Sequence, residues 1–439
     1  MNPEIPINEA QFQPIPGVIP PVFARKFEEL TLFYAPGYLA AARPQEAAEI
    51  TGILAGELPF GNLVPHYLTR AALNAEDKWR RCHDPRLFKP VCLTLYTSLA
   101  CNLKCSYCFA ESERNDGLQL SGAHIMRAAK KVLANCREKN EPFTVVFHGG
   151  GEPTLDPRMP DFLGELRTIC SENHIPFRSY LATNGVMEEE KALFFAKIFQ
   201  KIGLSVDGPP DIQNRQRPGR DGRETSMIVE RTAGIIRNVR GKLTVRVTVL
   251  PDNFSRIPEI TAYCREVLEA DEIRMEPAYY QATDAKAAAV FCDGFLKAKE
   301  NCPGLSYSGT RIREIHGRYC HPFRQVLHLV PPKSCSACFA VSTQREAEKR
   351  KLDQPWDSGL AEKLSKDDPE CDRCFNHFHC SRGCPDVCPA RDGGWKDAGS
   401  FRCLVNRTLA EAELLAMAKR LLLEPARKYG FAGVKPGGE

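Results

Sequence analysis

The sequence predicts an α/β protein built around a parallel sheet, followed by a cysteine-rich segment. From Val91 onward, apolar strand-like runs alternate with stretches of helical period, and six β/α units in series require a parallel sheet. Of the nineteen cysteines, twelve cluster at 101–108 and at 320–403. Six β/α units fit either a partial barrel or an open, doubly wound sheet, and in both forms the chemistry belongs at the carboxyl ends of the strands.

The predicted elements follow from apolar periodicity. The six strands are expected at 91–97, 143–148, 178–182, 202–206, 243–249 and 272–276. The helices are expected near 122–138, 159–173, 187–199, 225–238, 256–268 and 285–299, with Ser121 as a suitable N-cap for the first. Before the sheet, TLFYAPGYLAAA predicts a hairpin that turns at Pro36 and Gly37, and helices are expected near 44–55 and 66–81. Residues 409–429 predict an amphipathic helix that closes the last domain.

Composition excludes several classes of protein. No apolar run approaches the roughly 18 residues of a membrane span, and the start MNPEIPINEAQFQPIPG has neither a basic n-region nor an apolar h-region. We therefore expect a cytoplasmic protein with no membrane partner. The formal net charge is only +4, and the basic run RQRPGRDGR at 215–223 is expected to be a solvated loop, so no nucleic-acid partner is predicted.

Seven cysteines are isolated in the sequence, and thiols persist in a reducing compartment. An isolated cysteine usually behaves as a small apolar residue, so these seven are predicted to be buried rather than to bind metal. They are Cys82, Cys92, Cys136, Cys170, Cys264, Cys292 and Cys302.

Four unusual loops follow the first four predicted strands. CNLKCSYC (101–108) reads C-x3-C-x2-C, and HGGGEPT (148–154), ATNG (182–185) and SVDG (205–208) follow in turn. Because the carboxyl ends of parallel strands share one edge, these loops are predicted to form a single site.

The residue types in these loops suggest a cofactor. Three thiolates suit a [4Fe–4S] cluster and leave its fourth iron open to a small molecule. The glycines at 149–151 allow backbone to approach a ligand, Glu152 offers a carboxylate to an ammonium group, and Tyr107 offers a flat face to a purine. A zinc site that borrows a distant fourth ligand is the alternative.

CNLKCSYC, GGGEP and SVDG together resemble the motifs of radical S-adenosylmethionine (SAM) enzymes, and residues 91–300 resemble the partial (β/α)6 TIM-like barrel of that family. The resemblance implies a cluster whose open iron chelates SAM and whose reduced form yields a 5′-deoxyadenosyl radical that removes a substrate hydrogen atom. It implies that Cys101, Cys105 and Cys108 bind the cluster. The implied SAM contacts are Gly150, Gly151 and Glu152 to the methionyl amine, Ser205 and Asn184 to the carboxylate or ribose, and Tyr107 to the adenine.

The second cysteine group resembles the C-terminal SPASM extension of peptide-modifying radical enzymes, which holds two auxiliary [4Fe–4S] clusters, so three clusters are expected in all. The resemblance rests on the motif CDRCFNHFHCSRGC at 371–384. The resemblance assigns Cys371, Cys374, Cys380 and Cys403 to the outer cluster, and Cys320, Cys338 and Cys384 to the inner one. Cys335 and Cys388 compete for the fourth inner position, which is alternatively left open to substrate. Lys333 stands where the family has a glycine. A pair of zinc knuckles is the alternative.

The expected domains are a small N-terminal α+β domain at 1–88, a radical SAM core at 89–304, a cysteine-rich iron–sulfur SPASM domain at 305–408, and a helix and tail at 409–439. Residues 1–88 are compatible with a leader-peptide recognition module and equally with a lid on the core. The sequence does not favour either role.

Phe339 separates two reactions that share this architecture. In sulfatase-maturing enzymes of this layout, an aspartate at that place serves as a base. Phenylalanine cannot take a proton. The favoured function is therefore maturation of a ribosomally made peptide through a thioether or carbon–carbon crosslink, and the alternative is sulfatase maturation or another protein-modifying or dehydrogenating reaction. The implied partners are a precursor peptide or protein and a reductant such as flavodoxin or ferredoxin.

Two other classes fit the sequence less well. A non-catalytic electron-transfer protein would have no use for GGGEP and SVDG. A tRNA-modifying enzyme would be expected to have a broader basic surface than a net charge of +4 suggests.

Overall fold

The computed structural model describes residues 11–59, 61–83, 89–108, 118–278, 284–315, 326–331, 334–336, 369–381 and 400–423. The chain divides into two compact units. The first comprises Met1–Asp84, Gly309–Tyr319 and Gly359–Glu439, and the second comprises Pro85–Ser308 and Cys320–Ser358. Within the described ranges, no helix is both long and apolar enough to cross a membrane.

The first unit begins with a four-stranded antiparallel sheet in chain order. Its elements are β1 (Gln13–Pro14), β2 (Phe23–Phe27), β3 (Leu30–Ala35), β4 (Tyr38–Ala42), α1 (Pro44–Leu54) and α2 (Leu63–His83). The predicted hairpin is confirmed, because β3 pairs with β4 across Pro36 and Gly37. Gly37 has φ +89°, the left-handed conformation that the third position of a type II turn requires. Val22, Phe33, Ile50 and Leu68 belong to the apolar core beneath this sheet and its helices.

The second unit is built on the predicted parallel sheet. Its central strands are β5 (Cys92–Leu95), β6 (Phe143–Phe147), β7 (Phe177–Thr183), β8 (Lys201–Ser205), β9 (Thr244–Val249) and β10 (Glu272–Pro277). They lie side by side in chain order, and every adjacent pair is parallel. Beyond β10 lies β11 (Leu305–Ser306), and beyond β5 lie the parallel β12 (Val326–Val330) and the antiparallel β13 (Ser334–Ser336).

Helices connect these strands as predicted. They are α3 (Gly122–Lys139), α4 (Met159–Glu172), α5 (Glu189–Ile198), α6 (Pro210–Gln216), α7 (Ser226–Arg240), α8 (Ile257–Glu266) and α9 (Ala285–Asn301). Ser121 occupies the N-cap position of α3. The short α6 was not predicted from the sequence. The α/β class and its six β/α units are confirmed.

Strand residues alternate between an apolar face and a polar face. Leu95, Phe147 and Leu181 are register partners on neighbouring strands and are fully buried. Register partners in a parallel sheet point to the same side, so the residues between them form the opposite face. We call this opposite side the polar face; it carries Thr94, Tyr180, Gly203, Arg246, Arg274 and His328.

The C-terminal part of the first unit contains α10 (Pro369–Asp372) and α11 (Phe401–Leu423). The predicted closing helix is present but begins at Phe401 rather than Leu409, so Cys403 lies in its first turn. Ala410, Leu414 and Ala418 share a core with Phe12 and Phe375.

The isolated cysteines behave largely as predicted. Within the described residues, five are buried: Cys136, Cys170, Cys264, Cys292 and Cys302. Cys92 is half-buried, and the side chain of Cys82 lies outside the described residues.

Candidate functional site

The three-cysteine loop lies directly against the glycine-rich loop that follows β6. The Glu152 backbone amide donates to the Ala100 carbonyl at 2.7 Å. A Cβ at Gly151 would lie 2.0 Å from that same carbonyl oxygen, so only glycine permits this approach. Gly150 has φ +152°, and a Cβ there would lie 2.7 Å from Leu99 Cδ2. The glycines therefore set the distance between the two loops.

Glu152 links the glycine-rich loop to the loop after β7. Its Oε1 accepts hydrogen bonds from the Thr154 hydroxyl at 2.8 Å and the Thr183 hydroxyl at 2.7 Å, and its Oε2 accepts from the Asn184 amide at 2.7 Å. The residue is only 2% exposed. Burial raises the pKa of the carboxyl, and the hydrogen bonds from Asn184, Thr183 and Thr154 oppose that rise. Oε2 keeps a lone pair for a further donor, as the predicted ammonium contact requires.

Asn184 extends this connection to the cysteines. Its side-chain amide donates to Asn102 Oδ1 at 2.8 Å and lies 3.9 Å from Cys101 Sγ. The Asn102 amide in turn donates to the Val186 carbonyl at 2.8 Å. Three of the four predicted loops thus meet at the first cysteine.

The fourth loop holds the cysteine loop through a buried charged group. The Tyr107 hydroxyl donates to Asp207 Oδ2 at 2.7 Å, and the Arg217 guanidinium donates to the Tyr107 oxygen. Arg217 also lies 3.8 Å from Asp207 Oδ1, and the side chains are 10% and 0% exposed. Burial raises the pKa of Tyr107 well above its usual value.

Backbone contacts complete this attachment. The Lys104 and Ser106 amides each donate at 2.9 Å, to the Pro218 and Gln216 carbonyls respectively. The expectation of a solvated loop over 215–223 is wrong for Arg217, which is buried because it neutralises Asp207. Arg215 and Arg223 do have exposed side chains.

Asp207, Arg217 and Thr183 are functional neighbours that the sequence analysis did not single out. Asp207 lies inside the quoted SVDG motif, so the motif itself was the available signal. Arg217 had no such signal, since its partner lies ten residues earlier in a separate loop. Ser205, assigned to SAM by resemblance, ends β8 and is a register partner of Arg246.

The thiols fit a cationic cluster. The pKa of Cys105 is raised to about 11, mainly by burial and also by Asp207, Cys108 and Cys101, against the opposing effect of Arg217. Neighbouring thiolates repel one another, and a bound metal would relieve that repulsion. No three His, Cys, Asp or Glu side chains of the described ranges converge tightly enough to hold one metal ion. A cube is less demanding, because each thiolate binds a different iron.

Four described cysteines of the second group, Cys371, Cys374, Cys380 and Cys403, lie in the first unit. The Cys374 amide donates to the Cys371 carbonyl at 3.1 Å, so these two cysteines share a turn. The Asn406 side-chain amide donates to Cys380 Sγ at 3.0 Å, and Cys403 lies three residues earlier on α11.

The remaining predicted inner-cluster positions are described only in part. Cys320, Cys338, Cys384 and Cys388 lie outside the described residues, as do Lys333 and Phe339. Cys335 is buried and is a register partner of Leu329 between β12 and β13.

The decisive comparison concerns the segment that carries the four loops. Residues 95–264 match the family model described as the Radical SAM superfamily. The chain contains a radical SAM domain. The predicted resemblance of this segment is confirmed, and the family implies a [4Fe–4S] cluster and SAM as cofactors.

Two curated proteins align with parts of the chain. The cysteine-type anaerobic sulfatase-maturating enzyme of Clostridium perfringens is 30% identical over 177 residues, which cover 38% of this chain and 46% of that enzyme. Mycofactocin maturase MftC of Mycobacterium tuberculosis is 33% identical over 121 residues, which cover 27% of this chain and 28% of that protein. The chain therefore spans less than half the length of these relatives.

Solved structures share the fold over a larger part of the chain. The structure of anSMEcpe with bound AdoMet has a TM-score of 0.62 at 19% identity and covers 75% of this chain and 99% of its own. Streptococcus suis SuiB bound to precursor peptide SuiA has a TM-score of 0.53 at 14% identity, with coverages of 87% and 99%. At these identities the likeness concerns the fold.

Proposed function

We propose that the protein is a radical SAM peptide maturase that abstracts a hydrogen atom from a ribosomally made peptide and installs a thioether or carbon–carbon crosslink. The observation that carries the proposal is the contact between the three-cysteine loop and the glycine-rich loop, made by the Glu152 amide and the Ala100 carbonyl at 2.7 Å. Thiolates beside a backbone cradle and a buried carboxylate suit a cluster that shares SAM with the protein.

Each loop has a role in this proposal. Cys101, Cys105 and Cys108 hold a [4Fe–4S] cluster, which when bound supplies the electron that splits SAM into methionine and a 5′-deoxyadenosyl radical. Gly150, Gly151 and Glu152 receive the methionyl amine, Asn184 and Ser205 the carboxylate or ribose, and Tyr107 the adenine. Because Tyr107 is tied to Asp207 through its hydroxyl, its ring is held in one orientation.

The second cysteine group is proposed to hold two auxiliary clusters. Cys371, Cys374, Cys380 and Cys403 bind the outer one, and the hydrogen bond from Asn406 to Cys380 supports the pairing of α11 with the 371–381 segment. Cys320, Cys338 and Cys384 bind the inner one. An oxidation that forms a crosslink releases electrons, and such clusters can accept them.

Peptides are the proposed substrates, and flavodoxin or ferredoxin is the proposed type of reductant. The names of the relatives support action on proteins or peptides, since one matures sulfatases and SuiB is bound to its precursor peptide. Sulfatase maturation is the second candidate, favoured by the 30% identity to the clostridial enzyme. Phe339 favours crosslinking instead, because a phenyl ring cannot serve as the base.

The N-terminal domain keeps two proposed roles. Its antiparallel sheet with α1 and α2 supports either recognition of a leader peptide or a lid.

Mass spectrometry of peptides incubated anaerobically with enzyme, reductant and SAM tests the reaction. We expect a short peptide encoded near this gene to lose two hydrogens per modification. Cys384→Ala should still form 5′-deoxyadenosine but not the finished product, because it removes an auxiliary ligand. Conversion of a cysteine or serine in a sulfatase peptide to formylglycine by the wild-type enzyme would overturn the choice of crosslinking.

A further inference from the structure

Arg246 differs in its partners from the other described arginines of the second unit that are buried or half-buried. It lies on the polar face at the middle of β9, in register with Ser205 and Arg274. Arg158, Arg217 and Arg274 are each paired with a carboxylate. Among the residues that the structure describes, no carboxylate lies within ion-pair distance of Arg246; its side chain hydrogen-bonds His148, with Nη1 3.2 Å from Nε2.

His148 does not supply a compensating charge. Arginine can only donate, so His148 Nε2 accepts and the ring proton resides on Nδ1. Burial, together with the nearby Arg246 and His328, lowers the pKa of His148 to about 3. The imidazole is therefore neutral at physiological pH.

The charges along this part of the polar face do not cancel. Arg274 lies 3.3 Å from Glu276, which leaves the Arg246 charge uncompensated by the described neighbours. A half-buried cation without a counter-ion is unfavourable, and a ligand that brings a negative charge would remove that penalty.

Tyr180 and Gly203 lie beside the Arg246 side chain. A Cβ at Gly203 would lie 1.9 Å from the Tyr180 hydroxyl and 3.2 Å from Arg246 Cδ. Both side chains therefore extend over Gly203, which has no side chain to displace them. The Tyr180 hydroxyl and the Arg246 side chain both lie beside Gly203, and a guanidinium together with a phenol hydroxyl supplies several donors, which suits a carboxylate.

Tyr180 and Gly203 lie on the amino-terminal side of the proposed cofactor contacts, whereas Arg246 is itself level with Ser205 and bonds His148 beside the glycine-rich loop. Gly203 lies two residues before Ser205 on β8, and Tyr180 lies within β7, three residues before its end at Thr183. The SAM contacts are assigned to loops at the carboxyl ends of the strands. A ligand that lies between Arg246 and Tyr180 would occupy the polar face of the sheet beside Gly203.

We propose that Arg246, assisted by Tyr180, binds a carboxylate of the substrate peptide and so positions the residue that is to lose hydrogen. This inference rests on the proposed function, and its test needs no turnover. An acidic side chain and a peptide C-terminus present the same carboxylate chemistry to the site.

The test measures binding of small probes to the reconstituted full-length protein by ligand-observed NMR. N-acetyl-aspartate α-amide carries only a side-chain carboxylate, N-acetylglycine carries only a terminal one, and N-acetylglycinamide carries none. We expect one of the two acids to bind and the neutral amide not to bind, and the acid that binds identifies the source.

Variants locate the binding. Arg246→Gln should weaken binding of the acid probe about ten- to a hundred-fold, because it removes a charge-assisted hydrogen bond. Arg246→Lys keeps the charge but not the planar guanidinium, so it should lose less affinity for the acid than Arg246→Gln. Tyr180→Phe should lower this affinity about two- to ten-fold. The exposed Arg240→Gln is the control and should leave it unchanged. Iron content and circular dichroism report whether each variant is folded.

Binding of SAM shows whether Arg246 contacts the cofactor or the carboxylate of the substrate. The dissociation constant of SAM should change less than about two-fold in Arg246→Gln, far below the loss of one charge-assisted hydrogen bond. A large loss of SAM affinity, or acid binding that is equal in wild type and all Arg246 variants, would overturn the inference. If wild type binds the acid but never forms 5′-deoxyadenosine, the proposed function fails and the carboxylate site stands.

Discussion

Glu152 shows how one side chain can serve both a ligand and the loops around it. Its carboxylate accepts from the Thr154 and Thr183 hydroxyls and from the Asn184 amide, which belong to two different loops. Loss of this acceptor would therefore disturb the positions of both loops as well as the proposed ammonium contact. From the sequence, Glu152 could be assigned only to the ammonium contact.

Glu152→Gln is expected to weaken SAM binding about ten- to a hundred-fold, because it removes the negative charge that faces the ammonium group. The new amide NH2 is also a donor, and it faces the donors of Thr154, Thr183 and Asn184. Iron content should be retained, since Glu152 is not a cluster ligand. Isothermal titration with SAM under anaerobic conditions measures the change. An unchanged dissociation constant would count against both roles.

Thr183→Val separates the two roles of Glu152. It keeps the shape of the side chain and removes one hydrogen bond to Oε1, so it should weaken SAM binding by less than about ten-fold. If this variant loses as much affinity as Glu152→Gln, Glu152 acts mainly by holding the loops.

The three-cysteine loop depends on its connection to the segment after β8. Arg217, Asp207 and Tyr107 form a buried group in which the aspartate has no exposed side-chain surface. Removing one partner of a buried charge pair leaves the other charge uncompensated, whereas removing both is much less harmful. The loop is thus held by electrostatics as well as by its backbone pairing.

Arg217→Met is expected to lower the free energy of unfolding by about 3 kcal/mol, because Asp207 remains buried without its cation. The double variant Arg217→Met with Asp207→Asn should recover part of this loss. Chemical denaturation followed by circular dichroism measures both. Equal stability of wild type and Arg217→Met would show that the pair does not hold the loop.

The whole molecule is expected to combine three cluster sites on two compact units. After anaerobic reconstitution we expect roughly twelve irons and twelve sulfides per chain, from three [4Fe–4S] clusters. Replacing Cys101, Cys105 and Cys108 together by Ala should remove about a third of the iron and abolish SAM cleavage. Elemental analysis and assay of 5′-deoxyadenosine provide the two readouts.

A buried cysteine outside the clusters serves as the control for the metal analysis. Cys170→Ala removes a thiol that is fully buried beside the sheet, and it should leave the iron content unchanged. Zinc in place of iron, or iron for only one cluster, would contradict the auxiliary assignment. Retained SAM cleavage in the triple variant would mean that the radical cluster lies elsewhere.

Local pattern was sufficient to predict the elements of the sheet and the order of its loops. Apolar alternation placed β6 and β9 within one residue at each end, and the Pro36-Gly37 pair predicted the hairpin, because these signals depend on nearest neighbours in the chain. The four motifs could be assigned to one edge because parallel strands with crossover helices leave no other arrangement.

Pairings between distant residues could not be predicted in this way. Arg217 looked like part of a solvated basic run, but the folded chain buries it against Asp207, since the net balance of charge and burial depends on which loop is brought near. The charge on Arg246 was also unremarkable in the sequence. Its significance arises because the sheet places it beside a neutral His148 and over Gly203, with no described carboxylate within ion-pair distance. Such neighbours are set by the register of separate strands.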